Sequence, residues 1–171
     1  MTLRASFLLT IIALVFAAFS SFRAPLPAPP IVGNIDRIVI DKSDRVLIAY
    51  QGDRALRRYP MSLGFAPDGD KVRQGDGKTP EGTFRVDRRN PQSRFHLSLG
   101  LDYPHPDDIA RARAGGYSAG GDIFIHGQPR GFGGLQRIAE DWTAGCIAVN
   151  NHAMDELWAA TPIGTIVVIQ P

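Results

Sequence analysis

The chain has 171 residues, of which 44% are hydrophobic, and a formal net charge of +2 at neutral pH. This length allows one domain with a sizeable core and is too short for two. The sequence contains no dense run of lysine and arginine and no alternation of basic with aromatic residues, which argues against a nucleic-acid-binding protein.

The first 22 residues have the pattern of an export segment. Arg4 supplies a positive charge, residues 5–19 are almost entirely apolar, and residues 18–20 place small side chains where a signal peptidase cleaves. An uncleaved membrane anchor is the alternative, because the apolar stretch just reaches the lower length limit for a spanning helix. We expect residues 1–22 to be a signal peptide or signal anchor and residues 23–33 to be a proline-rich linker.

Alternating apolar and polar residues predict a mainly β domain in the rest of the chain. Residues 35–41 and 45–50 form the pattern of a hairpin. Further strands are predicted at 55–61, 83–88, 95–101, 122–126 and 165–169, with short helices at 106–114 and from Asn150 or Asn151 to Trp158.

Two residues stand out as candidates for chemistry. His126 ends a short apolar run, and Cys146, the only cysteine, follows a glycine and precedes a second apolar run. A cysteine there is expected at the start of a buried strand, and an imidazole can convert it to a thiolate if the fold brings the two together. A buried inert thiol and an intermolecular disulfide are the alternatives, since one cysteine cannot form an internal disulfide.

A zinc site is a further reading of the same residues. His126, Cys146 and His152, with Glu140 or Asp141, are acceptable zinc ligands. None of them stands in the close pairs that zinc motifs use, so we expect no metal and no other cofactor.

Several motifs, in order, resemble one known family. Ile125-His126-Gly127, followed after a gap by Thr143-Ala144-Gly145-Cys146-Ile147, is similar to the signature of the L,D-transpeptidase catalytic domain (YkuD-type), in the branch with an Asp-Trp-Thr-x-Gly-Cys-Ile-Ala-Val motif. The resemblance extends over residues 34–171 and includes four upstream segments: DKSDRVLIAY, SLG at 62–64, GDGKTPEG at 75–82 and RNPQSRFHLSLGLDYPHPDD at 89–108.

This resemblance implies a YkuD-like β-sandwich with a few short helices, and a role for each residue of the motif. Cys146 would be the nucleophile and His126 the general base and acid. The backbone carbonyl of Gly127 would orient the imidazole, and the N–H groups of Gly145 and Cys146 would stabilise the oxyanion. Thr143, Ala144 and Tyr103 would contact the substrate.

The resemblance also implies the substrate and the location. The expected substrates are peptidoglycan stem peptides, processed through a thioacyl-enzyme to give cross-linking, D-amino-acid exchange or lipoprotein attachment. The protein would act in the periplasm or cell envelope, with a peptidoglycan-linked lipoprotein as a further partner and the inner membrane as a partner only if the N-terminal segment is uncleaved.

Two positions depart from the family pattern. Ala144 replaces the second histidine of the motif, and Ala148 stands where arginine or asparagine is usual. Two other functions therefore stay open. One is a hydrolase that releases a peptide or lipoprotein from peptidoglycan, and the other is a catalytically decayed cell-wall-binding domain.

Overall fold

A three-stranded antiparallel meander opens the folded part of the chain. The computed structural model describes residues 29–171, so the predicted export segment lies outside the described residues. Strand β1 (Arg37–Asp41) pairs with β2 (Val46–Gln51), and β3 (Arg54–Pro60) adds to the other side of β2. The side chains of Ile38 and Ile40 are fully buried, because alternate residues of a strand point to the same face. The predicted hairpin and third strand are confirmed.

Strand β4 (Gly82–Asn90) joins the two halves of the sheet. Its first residues pair with β8 (Ile166–Gln170), which lies parallel to β1. Its later residues pair with β5 (Ser98–Leu101), after a register shift between Val86 and Arg88. One strand therefore contributes to both halves, and the sheet curls at this point.

The far half of the sheet is completed by β6 (Phe124–His126) and β7 (Ile147–Ala148). β6 is antiparallel to β5 and parallel to β7. The order of the eight strands is β3-β2-β1-β8-β4-β5-β6-β7. The mainly β architecture expected from the sequence is confirmed.

Strand β5 is shorter than its sequence pattern predicts. The apolar alternation suggests a start at Phe95, but the strand begins at Ser98. His96 has a φ of 67°, in the left-handed region that a regular strand excludes. The residues before Ser98 therefore form a loop, and this loop packs against His126.

Two short helices complete the domain. Helix α1 (Pro106–Ala114) has the predicted bounds, and its first residue is the proline that such a position favours. Helix α2 (Asn151–Ala160) is capped by Asn150, whose side chain accepts a hydrogen bond from Ala153 N at 2.7 Å. It continues past Trp158 to Ala160. Within residues 29–171, no helix is long and apolar enough to cross a membrane.

A cluster of buried hydrophobic side chains lies inside the curled sheet. Both halves of the sheet and α2 contribute fully buried side chains to it, among them Ile38, Leu99, Ile125, Ile147 and Leu157. Because β6 and β7 insert their isoleucines into this core, the residues at the ends of these two strands are held firmly. Those residues are His126 and Cys146.

Candidate active site

Two neighbouring parallel strands bring His126 and Cys146 to one pocket. His126 is the last residue of β6, and Cys146 immediately precedes β7. Ile125 pairs with Ile147 and His126 with Ala148, so Cys146 lies opposite Phe124, two positions from His126 along the sheet and on the same face. Both line a pocket of about 250 Å³. The sheet thus brings together two residues that are distant in the sequence.

The imidazole of His126 is enclosed by aromatic rings. It is only 4% exposed, stacks on Phe95 with a centroid separation of 4.7 Å, and meets the edge of Trp142 at 5.7 Å. These two rings restrict the rotation of the imidazole and separate it from solvent. Burial lowers the pKa of His126, and the opposing effect of the Gly127 carbonyl is smaller, so the ring is neutral at neutral pH.

A backbone carbonyl determines which nitrogen of His126 carries the hydrogen. Nδ1 lies 2.7 Å from the carbonyl oxygen of Gly127. A carbonyl can only accept a hydrogen bond, so Nδ1 of the neutral ring is the donor. Nε2 is left with a lone pair and can accept a proton.

Gly127 is required for close packing around this histidine. Its N–H donates to the carbonyl oxygen of Phe95 at 3.0 Å. A Cβ atom at this position would lie 2.5 Å from Asn151 Oδ1 and 2.9 Å from His96 Cβ. Any larger residue would push the loop before β5 and the start of α2 away from His126.

The sulfur atom of Cys146 is half-buried beside the start of β6. Its Sγ lies 3.4 Å from the carbonyl oxygen of Asp122, within the range of a weak S–H hydrogen bond. Burial raises the pKa of the Cys146 thiol, and the Asp122 carboxylate adds to this effect. The Phe124 backbone, Lys71 and Arg88 lower the pKa but do not outweigh burial. The pocket therefore holds a thiol and a neutral imidazole at rest.

Thr143 organises the loop that leads into Cys146. Its hydroxyl donates to the carbonyl oxygen of Cys146 at 2.7 Å and accepts the N–H of Gly145 at 3.1 Å. The side chain is buried and does not line the pocket of His126 and Cys146, so the structure does not support the substrate contact expected of Thr143. Within the part of the chain that the structure describes, the N–H groups of Ala144 and Cys146 have no acceptor, whereas that of Gly145 is occupied.

Gly145 allows a second loop to approach the cysteine. Its φ is 138°, a conformation that residues with a Cβ rarely adopt. A Cβ built on Gly145 would lie 2.6 Å from the backbone carbonyl oxygen of Lys78. The loop of residues 64–78 therefore packs directly on the backbone next to Cys146.

The comparison with known proteins decides the family. Residues 35–169 match the profile of the family described as YkuD, the L,D-transpeptidase catalytic domain. The chain belongs to the L,D-transpeptidase family. The resemblance seen in its separate motifs is thereby confirmed at the level of the whole domain.

Three relatives illustrate the extent of the similarity. The Escherichia coli (strain K12) protein YafK, which carries an L,D-transpeptidase name, is 33% identical over 147 residues, covering 82% of this chain and 52% of YafK. The crystal structure of the helical cell shape determining protein Pgp2 from Campylobacter jejuni has 26% identity and a TM-score of 0.62, covering 81% of this chain and 48% of that one. The L,D-transpeptidase structure from Xylanimonas cellulosilytica shares the fold, with 20% identity and a TM-score of 0.54, covering 90% of this chain and 68% of that one. The chain spans about half the length of YafK and of the Pgp2 chain.

Ala144, the first departure from the L,D-transpeptidase motif, faces a second pocket. This pocket has a volume of about 530 Å³ and lies on the other side of Cys146. Ala144 is exposed there and contributes only a methyl group and its free N–H. Asp122 and Cys146 line both pockets, so the sulfur atom lies at the boundary between them.

Ala148, the second departure, is fully buried in a short antiparallel bridge. It exchanges two backbone hydrogen bonds of 2.8 Å with Ser62. The guanidinium of Arg137 donates to the hydroxyl of Ser62 and to the carbonyl oxygen of Ile138. A cation from a different part of the chain thus lies beside the position where L,D-transpeptidases usually carry arginine or asparagine.

Asp76, in the GDGKTPEG segment, is a carboxylate that accepts several hydrogen bonds and was not singled out from the sequence. Asp76 accepts hydrogen bonds from Val72 N, Arg73 N and Lys78 N at 2.8–3.0 Å, and Lys71 Nζ lies 2.7 Å from its Oδ1. Burial acts to raise the pKa of Asp76, but these donors outweigh it and hold the pKa well below its usual range. Lys71 lines the larger pocket together with Cys146. The motif was visible in the sequence, but the hydrogen bonds to Asp76 depend on the conformation of the loop.

The structure corrects the expectation for Tyr103. Its ring is 4% exposed and belongs to the core, and its hydroxyl donates to the carbonyl oxygen of Ala119 at 3.0 Å. Tyr103 lines neither of the two pockets that meet at Cys146. It stabilises the segment before β6 from within the core and is not placed to contact a substrate.

The pocket beside His126 contains further residues that were not singled out from the sequence. They come from the end of β4 and the loop before β5: Asn90, Ser93, Arg94 and Phe95. All lie within the 89–108 segment that resembles the family, but their proximity to His126 depends on the pairing of β5 with β6. Within residues 29–171, no three residues of the His, Cys, Asp and Glu types are grouped to hold a metal ion.

Proposed function

We propose that this protein is an exported, cysteine-dependent L,D-transpeptidase that acts on peptidoglycan stem peptides through a thioacyl-enzyme. One observation carries the proposal. His126 and Cys146 line the same pocket, and the Gly127 carbonyl at 2.7 Å leaves Nε2 of His126 free to accept a proton. A neutral imidazole beside a thiol is the arrangement that nucleophilic catalysis by cysteine requires.

In the first step, His126 Nε2 takes the thiol proton of Cys146. The S–H turns from the Asp122 carbonyl, its resting acceptor, toward the imidazole. The sulfur then attacks the carbonyl carbon of the amide that follows the L-centre of diaminopimelate in the stem peptide. The carbonyl π electrons move to oxygen and form a tetrahedral oxyanion.

Two backbone N–H groups are available to stabilise this oxyanion. The family resemblance implies the N–H groups of Gly145 and Cys146 for this role, but the N–H of Gly145 is already donated to Thr143. We therefore assign it to the N–H groups of Cys146 and Ala144, which have no acceptor among the described residues. Each such donor typically contributes about 3 kcal/mol to transition-state stabilisation. Because a backbone N–H and not a side chain would bind the oxyanion, alanine at position 144 can take the place of the family's histidine.

Collapse of the tetrahedral intermediate breaks the C–N bond. The imidazolium of His126 gives its proton to the departing amine, and a thioester remains on Cys146. An incoming amine then loses a proton to His126 and attacks the thioester, which restores the thiol and forms a new amide. Water in place of the amine gives hydrolysis, the alternative outcome for this site.

We further propose that residues 1–22 direct export, so that the domain acts in the periplasm or cell envelope. The apolar stretch behind Arg4 supports this proposal. Fusing a reporter enzyme that is active only outside the cytoplasm to the full chain tests it. Reporter activity that survives deletion of residues 2–22 would contradict the role of the segment.

The proposed activity is tested by mixing the purified protein with a disaccharide-tetrapeptide and measuring the masses of protein and products. We expect a thioester adduct on the wild-type protein and none on Cys146→Ala. His126→Gln should form the adduct at least about a hundredfold more slowly, because the general base is lost. Thermal unfolding of both variants checks that the domain remains folded.

The products separate the remaining functions. Cross-linked or D-amino-acid-exchanged product indicates a transpeptidase, and tripeptide alone indicates a hydrolase. If the tetrapeptide is not turned over, peptidoglycan carrying a covalently linked lipoprotein is the second substrate. Muropeptide binding that survives Cys146→Ala, with no adduct on the wild-type protein from either substrate, would indicate a decayed cell-wall-binding domain.

A further inference from the structure

The two pockets that meet at Cys146 differ in their access to the catalytic base. His126 lines the pocket of about 250 Å³ and does not line the pocket of about 530 Å³. The amine that leaves, and the amine that later enters, must each exchange a proton with His126. The smaller pocket is therefore the side on which these amines lie, and its volume suits a group the size of one amino acid.

Arg94 lines this smaller pocket and has no partner among residues 29–171. Its side chain is exposed, and no described residue forms an ion pair or hydrogen bond with it. Arg88, nearby, differs in this respect. Its guanidinium contacts Asp87 at 2.8 Å and Asp122 at 3.2 Å and lies over the ring of Phe124. Arg94 is thus the guanidinium free to bind a ligand.

The backbone on either side of Arg94 is held in place relative to His126. Phe95 stacks on the imidazole, and its N–H donates to Ser93 Oγ at 3.1 Å. The carbonyl oxygen of Phe95 accepts the N–H of Gly127 at 3.0 Å. The position of the Arg94 backbone is therefore coupled to that of the catalytic histidine.

We propose that Arg94 binds the carboxylate attached to the α-carbon of the leaving or incoming D-amino acid. This assignment rests on the proposed function of the site. When the leaving group is a terminal D-amino acid, its amine and its carboxylate are bonded to the same carbon atom. A group that lies with its nitrogen at His126 therefore presents its carboxylate within the same small pocket, where a guanidinium can form two parallel hydrogen bonds to it. An amine that lacks this carboxylate, such as a lysine side chain, would form no ion pair with Arg94.

The test uses the full chain and two donors, a disaccharide-tetrapeptide ending in D-alanine and the same compound ending in D-alaninamide. The amide keeps the shape and removes the negative charge. We expect Arg94→Gln to lower kcat/KM for the acid about tenfold and to change the value for the amide by less than about twofold. Arg94→Lys should recover part of the loss. Arg54→Gln, at an exposed arginine of β3, is the matched control and should change neither value.

A binding measurement separates this proposal from the proposed function. Cys146→Ser cannot form the thioester, and we expect it to bind the acid more tightly than the amide, a preference that Arg94→Gln removes. No turnover by the wild-type protein, with this preference present, would overturn the proposed function and retain the carboxylate site. Equal losses for acid and amide, or an unchanged preference in Arg94→Gln, would overturn the role of Arg94 and leave the proposed function intact.

Discussion

Nδ1 of His126 lies 2.7 Å from the carbonyl oxygen of Gly127, the residue that follows it in the chain. The orienting partner of the imidazole is thus a neutral backbone group, and no carboxylate is needed to fix the tautomer. A neutral partner stabilises an imidazolium much less than an anion would. Burial therefore determines the direction of the pKa shift of His126, and the resting pair of His126 and Cys146 is uncharged.

The pH dependence of thioester formation should reflect this uncharged pair. We expect activity to fall at acidic pH only as His126 becomes protonated, below its ordinary pKa of 6.5, because burial lowers that value. At alkaline pH, activity should fall above the ordinary cysteine value of 9.0, because burial raises the pKa of Cys146 and its proton is needed by the leaving amine. The pH profile of kcat/KM measures both the acidic and the alkaline fall in activity.

Thiolate absorbance gives an independent check of the same pair. We expect no thiolate signal from the wild-type protein at neutral pH, with Cys146→Ala as the blank. A thiolate signal at neutral pH would indicate a charged thiolate–imidazolium pair and contradict the assignment.

Replacing Thr143 should disorder the cysteine loop without removing a substrate contact. Thr143→Val keeps the shape and loses both hydrogen bonds of the hydroxyl, so we expect a loss of about 1–2 kcal/mol in the free energy of unfolding. Misplacement of the sulfur atom should lower kcat about tenfold or more, with a smaller change in KM. Thr143→Ser restores the hydroxyl and should recover most of the activity. An equal effect of serine and valine would mean that the hydroxyl is not the group that matters.

Gly145→Ala should destabilise the domain through a backbone collision. The added Cβ would lie 2.6 Å from the carbonyl oxygen of Lys78, in a backbone conformation with φ of 138°. We expect a loss of about 3 kcal/mol or more in the free energy of unfolding, measured with denaturant. Gly164→Ala is the control, because Gly164 also has a positive φ, 92°, but no atom lies within 4 Å of its Cβ position. Its loss should be about 1 kcal/mol, and similar losses at both positions would exclude the collision as the cause.

Asp76 should make the stability of the domain depend on pH below the ordinary carboxyl range. The folded pKa of Asp76 lies below its ordinary value of 3.8, so its contribution is present above that value and is lost as pH falls through the folded pKa. Asp76→Asn should lower the free energy of unfolding by about 2–4 kcal/mol at neutral pH, because it leaves Lys71 buried without its partner. The difference from the wild-type protein should shrink in acid.

Asp68→Asn provides the comparison for this measurement. Asp68 is exposed in the same region of the chain, so we expect its substitution to change the unfolding free energy by less than about 0.5 kcal/mol. A loss at Asp76→Asn that stays constant from neutral to strongly acidic pH would contradict the role of the carboxylate charge.

Local patterns predicted the elements whose stability comes from nearby residues. The bounds of α1 follow from Pro106 at its first turn, and the β1–β2 hairpin follows from alternation around a polar turn. The short strand β7 has only two residues, and its place beside β6 could not be read from its own sequence. The start of β5 could not be read from the sequence either. The alternation begins at Phe95, but the left-handed conformation of His96 keeps the residues before Ser98 out of the strand.

The sequence by itself determined the family and the two residues that the motif singles out, His126 and Cys146, because the order and types of the motif residues are properties of the chain. Only the tertiary structure decided which groups around these two residues are free to contact a substrate. The hydroxyl of Thr143 occupies the N–H of Gly145, and the core encloses Tyr103, whereas Arg94, in the pocket of His126, has no partner among the described residues. Hydrogen-bond partners and burial depend on contacts between distant segments, and those contacts exist only once the sheet has curled.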